Sequence, residues 1–441
     1  MTGAAAMGRR IATRRPGPTV PVVGALMAAL TVIAGAWIKA RGGRLGVPTP
    51  PFYIRWQPRI SPLAAVSIGV LAVAAASTAS LARSRIRPLL FAACLFALAL
   101  ALDIGLNIAR GGAHELWAVF QIGPHRSREG PQEYLPGLWA LARGVPYYVS
   151  HFPALIPRLP VHVRGNPPGP LVAMHLLGIV TAPGLAALCI GVGALSAPLT
   201  YVLGRTLGGE ALGRVAGVLS AFAPGLLLLG ATSADYAFTT LGLGAACLLV
   251  RESRRARLAG ALLAAAASLF SWLLLAIPAW SVVVVARREG PRRAIELAFA
   301  CALVMAALYA VLALSVGYDP LGALQATSNA YHSGIARVRP YAYWLFGSPV
   351  AWGVALGLPI AFYALRALGD RDAAALALAA VVVTSAVLGL TKAETERIWL
   401  PFAPLACVAA AAATPHQRLR ATVWLLAAQA LAVELLFDTV W

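Results

Sequence analysis

Residues 88–107 read PLLFAACLFALALALDIGLN, and this stretch decides the fold. Its only charged side chain is Asp103, which lies near the C-terminal end. A helix crosses the hydrocarbon core of a bilayer with about 20 predominantly apolar residues. The stretch therefore predicts a membrane-spanning helix.

The whole chain has a similar composition. Of its 441 residues, 60% are hydrophobic and 12% are charged, and the mean hydropathy is +0.76. A soluble globular domain is about half apolar and about a quarter charged. This chain has too few polar side chains to cover a water-facing surface. We therefore predict an all-α, polytopic transmembrane helix bundle whose main partner is the lipid bilayer.

Apolar segments like 88–107 recur along the chain and predict about 13 spans. The interval 258–286 is too long for one span and has basic residues on both sides, so we expect two short helices that meet near Ser271 and Trp272. The other spans are placed near 20–38, 62–82, 184–203, 212–231, 236–250, 294–316, 342–365, 373–390, 398–413 and 421–438.

The net charge of +20 comes mainly from arginines that flank the predicted spans. Arg9, Arg10, Arg14 and Arg15 precede the first span, and further groups flank residues 258–286. Cytoplasmic loops of membrane proteins are enriched in lysine and arginine. The pattern predicts a multi-pass protein of the cell membrane with a cytoplasmic N-terminus. It also accounts for the basic charge without a nucleic-acid partner.

With this orientation, the two longer segments near 109–183 and 317–341 lie on the outer face. A structureless loop as long as the first is unusual. Within it, residues 170–180, PLVAMHLLGIV, predict a short helix that begins with proline and lies along the membrane. We therefore expect a long extracytoplasmic first loop that carries juxtamembrane helices.

Carboxylates on the predicted outer face are candidates for catalysis. Acidic side chains at membrane depth are costly unless they are solvated or paired, so Glu133, Asp103 and Asp235 need an explanation. Glu133, in REGPQEY, has the chemistry of a general base or a cation ligand. The alternatives are that Asp103 faces water at a helix end and that Asp235 caps the helix that follows it.

Two other outer segments carry candidate substrate-binding residues. The turn at 159–170, LPVHVRGNPPGP, is stiffened by prolines and serves either as an elbow or to present polar groups to a ligand. In the segment 391–401, TKAETERIWLP, basic residues either anchor the chain at the interface or hold a phosphate. The candidates are Tyr134, His162, Arg164, Asn166, Lys392, Glu394, Glu396 and Arg397, with Arg337, Arg339 and Tyr341 as a second basic and aromatic edge.

The order of these motifs resembles the GT-C superfamily of membrane glycosyltransferases, and particularly its actinobacterial members. The similarity covers roughly residues 85–415. Asn166 stands where the family usually has histidine, and no Asp-Asp or Asp-Glu pair follows the first or third span, which leaves the identity of the base open. The matching pieces are Glu133-Tyr134, Asn166 to Pro170, Thr232 to Asp235, Gly334 to Tyr341 and Glu394 to Pro401.

The resemblance implies transfer of a sugar from a polyprenyl-phosphate donor to a glycan or lipid acceptor on the extracytoplasmic face. Residues 85–441 would form the transmembrane catalytic domain, preceded in residues 1–84 by a cytoplasmic tail and two extra helices. A carboxylate, preferably Glu133, would deprotonate the acceptor hydroxyl, and Lys392 and Arg397 would stabilise the departing phosphate. No cofactor is certain; a divalent cation, Mg²⁺ or Mn²⁺, is compatible with this chemistry.

Other functions remain open from the sequence. They are a transporter or flippase of lipid-linked sugars, a polysaccharide polymerase or ligase, and a structural membrane scaffold. Transporters use repeated halves and charges near the bilayer midplane, and the sequence shows neither. It also has no Walker, HExxH, GxSxG or haem-attachment motif, so nucleotide-driven chemistry has no support.

Overall fold

The computed structural model describes residues 19–123 and 129–439, and within them the fold is all-α. The α-helices, α1 to α22 in chain order, are Thr19–Ala40, Ala64–Arg83, Pro88–Asn107, Glu115–Ala118, Val145–Ser150, Phe152–Leu155, Val161–Arg164, Gly169–Leu176, Ala182–Gly193, Ser196–Ala221, Pro224–Gly230, Asp235–Leu249, Arg254–Ala267, Ala276–Glu289, Pro291–Val316, Pro320–Ser333, Tyr341–Leu356, Leu358–Gly369, Ala373–Leu388, Thr395–Ile398, Ala403–Ala413 and Leu419–Leu436. Short 3₁₀ helices lie at Gly130–Gln132, Leu135–Leu141, Ile156–Arg158, Trp272–Leu275, Ile335–Val338, Leu400–Phe402 and His416–Arg418.

Six helical stretches of the described residues are long and apolar enough to cross a membrane, and the bent pair α17 and α18 would make a seventh. Their surfaces carry large apolar side chains, such as Leu314 at 89% and Leu89 at 84% exposed. Extended apolar surfaces of this kind are not stable in water. The structure therefore agrees with an all-α membrane protein, whereas the number of thirteen spans stays a prediction.

The helix breaks explain why spans are hard to count. The axes of α17 and α18 differ by 116°. Between α13 and α14 the chain leaves the α-helix after Ala267 and resumes it at Ala276, close to the break expected near Ser271. Helix α12, helix α19 and the stretch Leu400–Ala413 are apolar but shorter than a full span.

Helix α10 is a hairpin rather than a straight rod. Gly208 and Gly209 depart from helical geometry, and Gly209 has a φ of +83°, which favours glycine. The chain folds back so that Thr200 Oγ1 donates to Ser220 Oγ at 3.1 Å. The turn falls between the spans predicted at 184–203 and 212–231.

Helix α3 defines two ends of the bundle. At one end, Asn107 donates to the carbonyl of Leu227 in α11 at 2.9 Å. At the other, Arg214 of α10 donates to the carbonyls of Ser84 and Ile86, the latter at 2.9 Å. A helix of 20 residues is about 30 Å long. We call these the Asn107 end and the Arg214 end.

The segment between α1 and α2 folds over the Asn107 end. Its strand β1, Arg55–Trp56, pairs antiparallel with β2, Phe437–Asp438, which follows α22. Ser61 Oγ donates to the carbonyl of Ala109 at 2.8 Å, and α1 packs on α17 and α18. The two N-terminal helices are therefore integrated into the bundle.

We predict that Gly213→Ala destabilises the protein. The added Cβ would lie 2.7 Å from the carbonyl oxygen of Tyr201 and 2.8 Å from the backbone nitrogen of Arg205, across the α10 hairpin. Overpacking of this kind costs about 1–3 kcal/mol. Thermal unfolding of the purified protein in detergent should therefore occur at a lower temperature.

The matched control is Gly191→Ala in α9, where a Cβ would have no atom within 4 Å. This replacement should be neutral, or should stabilise the helix by up to about 1 kcal/mol. Equal unfolding temperatures for the two variants would contradict the close approach within the hairpin.

Candidate functional site

Four loop segments that are distant in sequence meet at the Asn107 end. They are residues 129–170, the turn at 232–235, the residues that precede α17, and residues 391–399 around α20. Each contains residues that the sequence singled out. Their side chains form two adjacent groups, an ion-pair network and a glutamate–histidine pair.

The ion-pair network consists of Arg339, Glu394, Arg397 and Asp235. Arg339 Nη2 binds Glu394 Oε1, Arg397 Nη2 lies 3.8 Å from Glu394 Oε2, and Arg397 Nη1 lies 2.5 Å from Asp235 Oδ2. Arg339, Arg397 and Asp235 are 3%, 7% and 7% exposed. Because basic and acidic side chains alternate and are shielded from water, the electrostatic attraction between neighbouring members of the network is strong.

Local structure fixes each member of the network. Ser233 Oγ accepts from the backbone N–H of Asp235 and donates to Asp235 Oδ2 at 2.9 Å. Asp235 is the first residue of α12, but its side chain makes no capping hydrogen bond to the helix and pairs with Arg397 instead. Arg339 Nη1 donates to the carbonyl of Lys392 at 2.7 Å, which joins the segment before α17 to the segment before α20.

The backbone beside the network is strained. Ala393 and Glu394 have φ values of +65° and +57°, a left-handed conformation that costs residues with a Cβ about 1–2 kcal/mol each. Burial raises the pKa of Glu394, but Arg339 and Arg397 outweigh this effect and hold the pKa below its usual value. The charged carboxylate and its arginines therefore stabilise a turn that the backbone alone would disfavour.

The second group is a buried glutamate–histidine pair. Glu133 and His162 are 1% and 6% exposed, and Glu133 Oε1 lies 2.9 Å from His162 Nδ1. The two atoms are not aligned for a hydrogen bond, and neither oxygen of Glu133 accepts one from the described residues. With respect to residues 19–123 and 129–439, Glu133 is therefore a buried carboxylate with free acceptor capacity.

Tyr134 and Asn166 position the glutamate–histidine pair. Asn166 Nδ2 donates to Tyr134 Oη at 2.9 Å and to the carbonyl of His162 at 3.1 Å. Burial raises the pKa of Tyr134, the negative charges of Asp235 and Glu133 raise it further, and Arg397 lowers it. The protonated phenol therefore lies between the glutamate–histidine pair and the ion-pair network.

Glu396 points away from the network. Its Oε1 accepts from the backbone N–H of Tyr53 at 2.9 Å, in the segment that covers the Asn107 end. Burial raises the pKa of Glu396 to about 7, against the lowering effect of the Tyr53 hydrogen bond. Burial also raises the pKa of Glu129, beside Glu133 and His162.

The remaining predicted residues make different contacts. Lys392 Nζ donates to the carbonyl of Ala336 at 3.2 Å rather than joining an ion pair. Arg164 is half-buried and Arg337 is exposed, and neither makes an ion pair or hydrogen bond with the described residues. Tyr341 is 46% exposed, and its hydroxyl donates to Val387.

Asp103 does not face water, which was one alternative for its role. It is fully buried in α3, where its Oδ2 accepts from Tyr236 Oη at 3.3 Å. Among the described residues it makes no ion pair or hydrogen bond with another candidate. It therefore lies beneath the site rather than in it.

Sequence reasoning missed the contributions of Tyr53 and Tyr331. Tyr53 belongs to the N-terminal region outside the motifs, and Tyr331 Oη accepts from the backbone N–H of Lys392 at 2.6 Å. Neither tyrosine lies in a distinctive pattern, so no sequence signal marks it. Ser233, in contrast, lies inside the Thr-Ser-Ala-Asp motif.

Two carboxylates of the site, Asp235 and Glu394, are not free to coordinate a divalent cation. Asp235 and Glu394 are each engaged by arginine, whereas Mg²⁺ needs oxygen ligands that are free to coordinate it. Among residues 19–123 and 129–439, no three His, Cys, Asp or Glu side chains form a group that could hold a metal ion.

Neither a protein-family model nor a curated protein sequence matches the chain at a significant level. The fold and the site together define an all-α membrane protein with a buried polar site at one end of its helix bundle.

We predict that Glu396→Gln stabilises the protein in a pH-dependent way. The folded protein keeps the Glu396 proton up to about pH 7, whereas the unfolded chain releases it near pH 4.5. Between these values the folded state binds more protons, so wild-type stability falls as pH rises. The variant lacks this loss and should be more stable by roughly 1–3 kcal/mol at pH 8.

Thermal unfolding at pH 4.5 and pH 8 measures this difference. The variant's gain over wild type should be present at pH 8 and small at pH 4.5. Glu115→Gln is the control, because Glu115 pairs at the surface with Arg59 at 3.7 Å and should show a similar effect at both values. A gain for Glu396→Gln that is independent of pH would contradict the raised pKa.

Proposed function

We propose that the chain is a GT-C-type glycosyltransferase that moves a sugar from a polyprenyl-phosphate donor to a glycan or lipid acceptor on the extracytoplasmic face. The observation that carries the proposal is the buried Glu133 carboxylate, which has free acceptor capacity beside His162 and the ion-pair network. This combination supplies a base and a set of cations at the end of apolar helices.

Glu133 acts as the general base. Its burial at 1% exposure excludes water that would compete for the proton, and His162 lies 2.9 Å from the carboxylate. The acceptor oxygen forms a bond to the sugar C1 while the bond from C1 to the phosphate oxygen breaks. The electron pair leaves with the polyprenyl phosphate, and the acceptor proton passes to Glu133.

The cations act on the departing phosphate. Arg397 is held by Asp235 and Glu394, so it supplies a fixed charge rather than a mobile one. Arg164, two residues from His162, is half-buried and has no ion pair within the described residues. We assign it the direct contact with the phosphate, because a guanidinium binds phosphate through two parallel hydrogen bonds.

Substrates enter at the more open edge of the site. The side chain of Glu394 is 19% exposed, and Glu129 and Arg164 are also partly exposed, whereas Glu133 is not. The acceptor therefore approaches past Arg164 and Glu394. The segment between α1 and α2 covers this region through apolar contacts of Leu45 with Trp344 and Ala393 and through hydrogen bonds such as that from Tyr53 to Glu396.

The proposal includes the membrane topology. About thirteen apolar segments would cross the bilayer, with the N-terminus in the cytoplasm and the Asn107 end outside. The distribution of arginines supports this orientation, because cytoplasmic loops of membrane proteins are enriched in basic residues. The loops of the Arg214 end contain many arginines, among them Arg83, Arg85, Arg254 and Arg255.

We predict that Glu133→Gln lowers sugar transfer by about 10²–10⁴-fold, because the amide cannot accept the acceptor proton. Purified protein in liposomes with labelled polyprenyl-phosphate sugars measures the transfer. Glu115→Gln should keep wild-type activity, since Glu115 pairs with Arg59 outside the site. Wild-type rates in Glu133→Gln would remove Glu133 from this role. Movement of the labelled lipid across the bilayer without any product would instead identify a flippase.

Arg164→Gln should raise the KM for the lipid-phosphate donor by roughly 10–100-fold, the loss expected for a charge-assisted hydrogen bond. The KM for the acceptor should change little. Arg143→Gln is the matched control, because Arg143 is exposed on the same loop and stacks on Tyr147 at 3.7 Å. If both variants have the same donor KM, Arg164 does not contact the phosphate.

A further inference from the structure

A second polar feature lies at the Arg214 end, on the opposite side of the bundle from the candidate site. A cavity of about 740 Å³ opens there between the C-terminal end of α2, the second half of α10 and the start of α22. Its volume is within the range of small-molecule binding sites. Nothing in the proposed transfer reaction uses it.

The cavity is strongly basic. Arg83, Arg85, Arg214 and Arg420 line it, and Glu210 is its only acidic residue. Glu210 is already engaged, because Arg214 and Arg205 contact it at 2.7 Å and 3.1 Å. The lining therefore keeps a positive charge that no carboxylate of the cavity neutralises.

The arginines of the cavity divide into two kinds. Arg214 is buried and fully engaged by Glu210 and by the carbonyls of Ser84 and Ile86, so it holds the loop after α2 in place. The other three, Arg83, Arg85 and Arg420, are exposed and form no ion pair with any residue of the ranges 19–123 and 129–439. Three arginines without an ion pair among the described residues thus line one cavity.

We propose that this cavity binds a phosphate-bearing anion. Guanidinium groups are the side chains best suited to phosphate oxygens. Basic pockets between transmembrane helices bind phosphorylated lipid headgroups. The preference of cytoplasmic loops for arginine accounts for basic residues here, but it does not account for a cavity that gathers them. The phosphate comes either from an anionic phospholipid headgroup or from a soluble phosphate or diphosphate.

The test uses the full-length protein in nanodiscs of phosphatidylcholine. Cardiolipin or phosphatidylglycerol is titrated in one arm, and inorganic phosphate or pyrophosphate in the other, with binding followed by native mass spectrometry and thermal shift. The variant is Arg83→Gln, Arg85→Gln and Arg420→Gln combined. Its control is Arg251→Gln, Arg254→Gln and Arg255→Gln, which removes the same charge from exposed arginines at the same end but outside the cavity.

We expect saturable binding in at least one arm, with affinity reduced by at least tenfold in the cavity variant and within twofold of wild type in the control. Saturation by the lipids alone identifies a headgroup site, and saturation by the soluble anions identifies a free phosphate site. No saturable binding in either arm, or equal losses in the two triple variants, overturns the proposal. If the triple variant does not fold, Arg85→Gln and Arg420→Gln are tested singly and should each weaken binding.

Discussion

The pairing of Arg397 with Asp235 is the interaction on which the arrangement at the Asn107 end depends. It joins the start of α12 to α20, although the two residues are 162 positions apart in the sequence. Both are buried, and removing one partner of a buried ion pair costs about 3–5 kcal/mol because it leaves an uncompensated charge. Through Glu394 the same arginine is coupled to Arg339, and so to the segment before α17. Two guanidinium groups, those of Arg397 and Arg339, therefore fix three loop segments against each other.

This constraint explains features that otherwise look unfavourable. Ala393 and Glu394 adopt left-handed backbone conformations, which persist only where surrounding contacts determine them, and the two arginines on Glu394 provide those contacts. Next to the network, burial and the negative charges of Asp235 and Glu133 raise the pKa of Tyr134, whereas Arg397 lowers it. The Tyr134 hydroxyl accepts a hydrogen bond from Asn166. Asn166 in turn fixes the carbonyl of His162. Ion pairs thus hold the strained turn at 393–394, and hydrogen bonds of Asn166 hold the neighbouring loop.

The sequence predicted the parts of the fold that depend on local composition. Long apolar runs such as 88–107 became helices, and the polar motifs of the loops predicted to lie outside came together at one end of the bundle. The contacts of the N-terminal segment were not predictable, because the hydrogen bond from Tyr53 to Glu396 spans 343 positions and leaves no periodic signal. The order of the motifs identified both Arg397 and Arg164 as candidate substrate-binding residues. The sequence could not show that carboxylates neutralise Arg397 whereas Arg164 has no ion pair with the described residues, because ion pairing depends on neighbours in three dimensions.

In the proposed reaction, Arg397 and Arg164 would interact differently with the phosphate of the donor. A phosphate that approaches Arg397 must compete with Asp235 and Glu394. Arg397 then exchanges one anion for another, so the phosphate binds with little net gain in free energy. A phosphate at Arg164 displaces no carboxylate. An enzyme accelerates its reaction only through interactions that are stronger in the transition state than in the ground state. As charge builds on the departing phosphate, attraction to the fixed Arg397 grows without the rearrangement that a mobile side chain would need. A buried arginine held by carboxylates, together with a half-buried one that makes no ion pair with the described residues, therefore suits the proposed transfer from a lipid phosphate better than two free cations, which would retain the phosphate product.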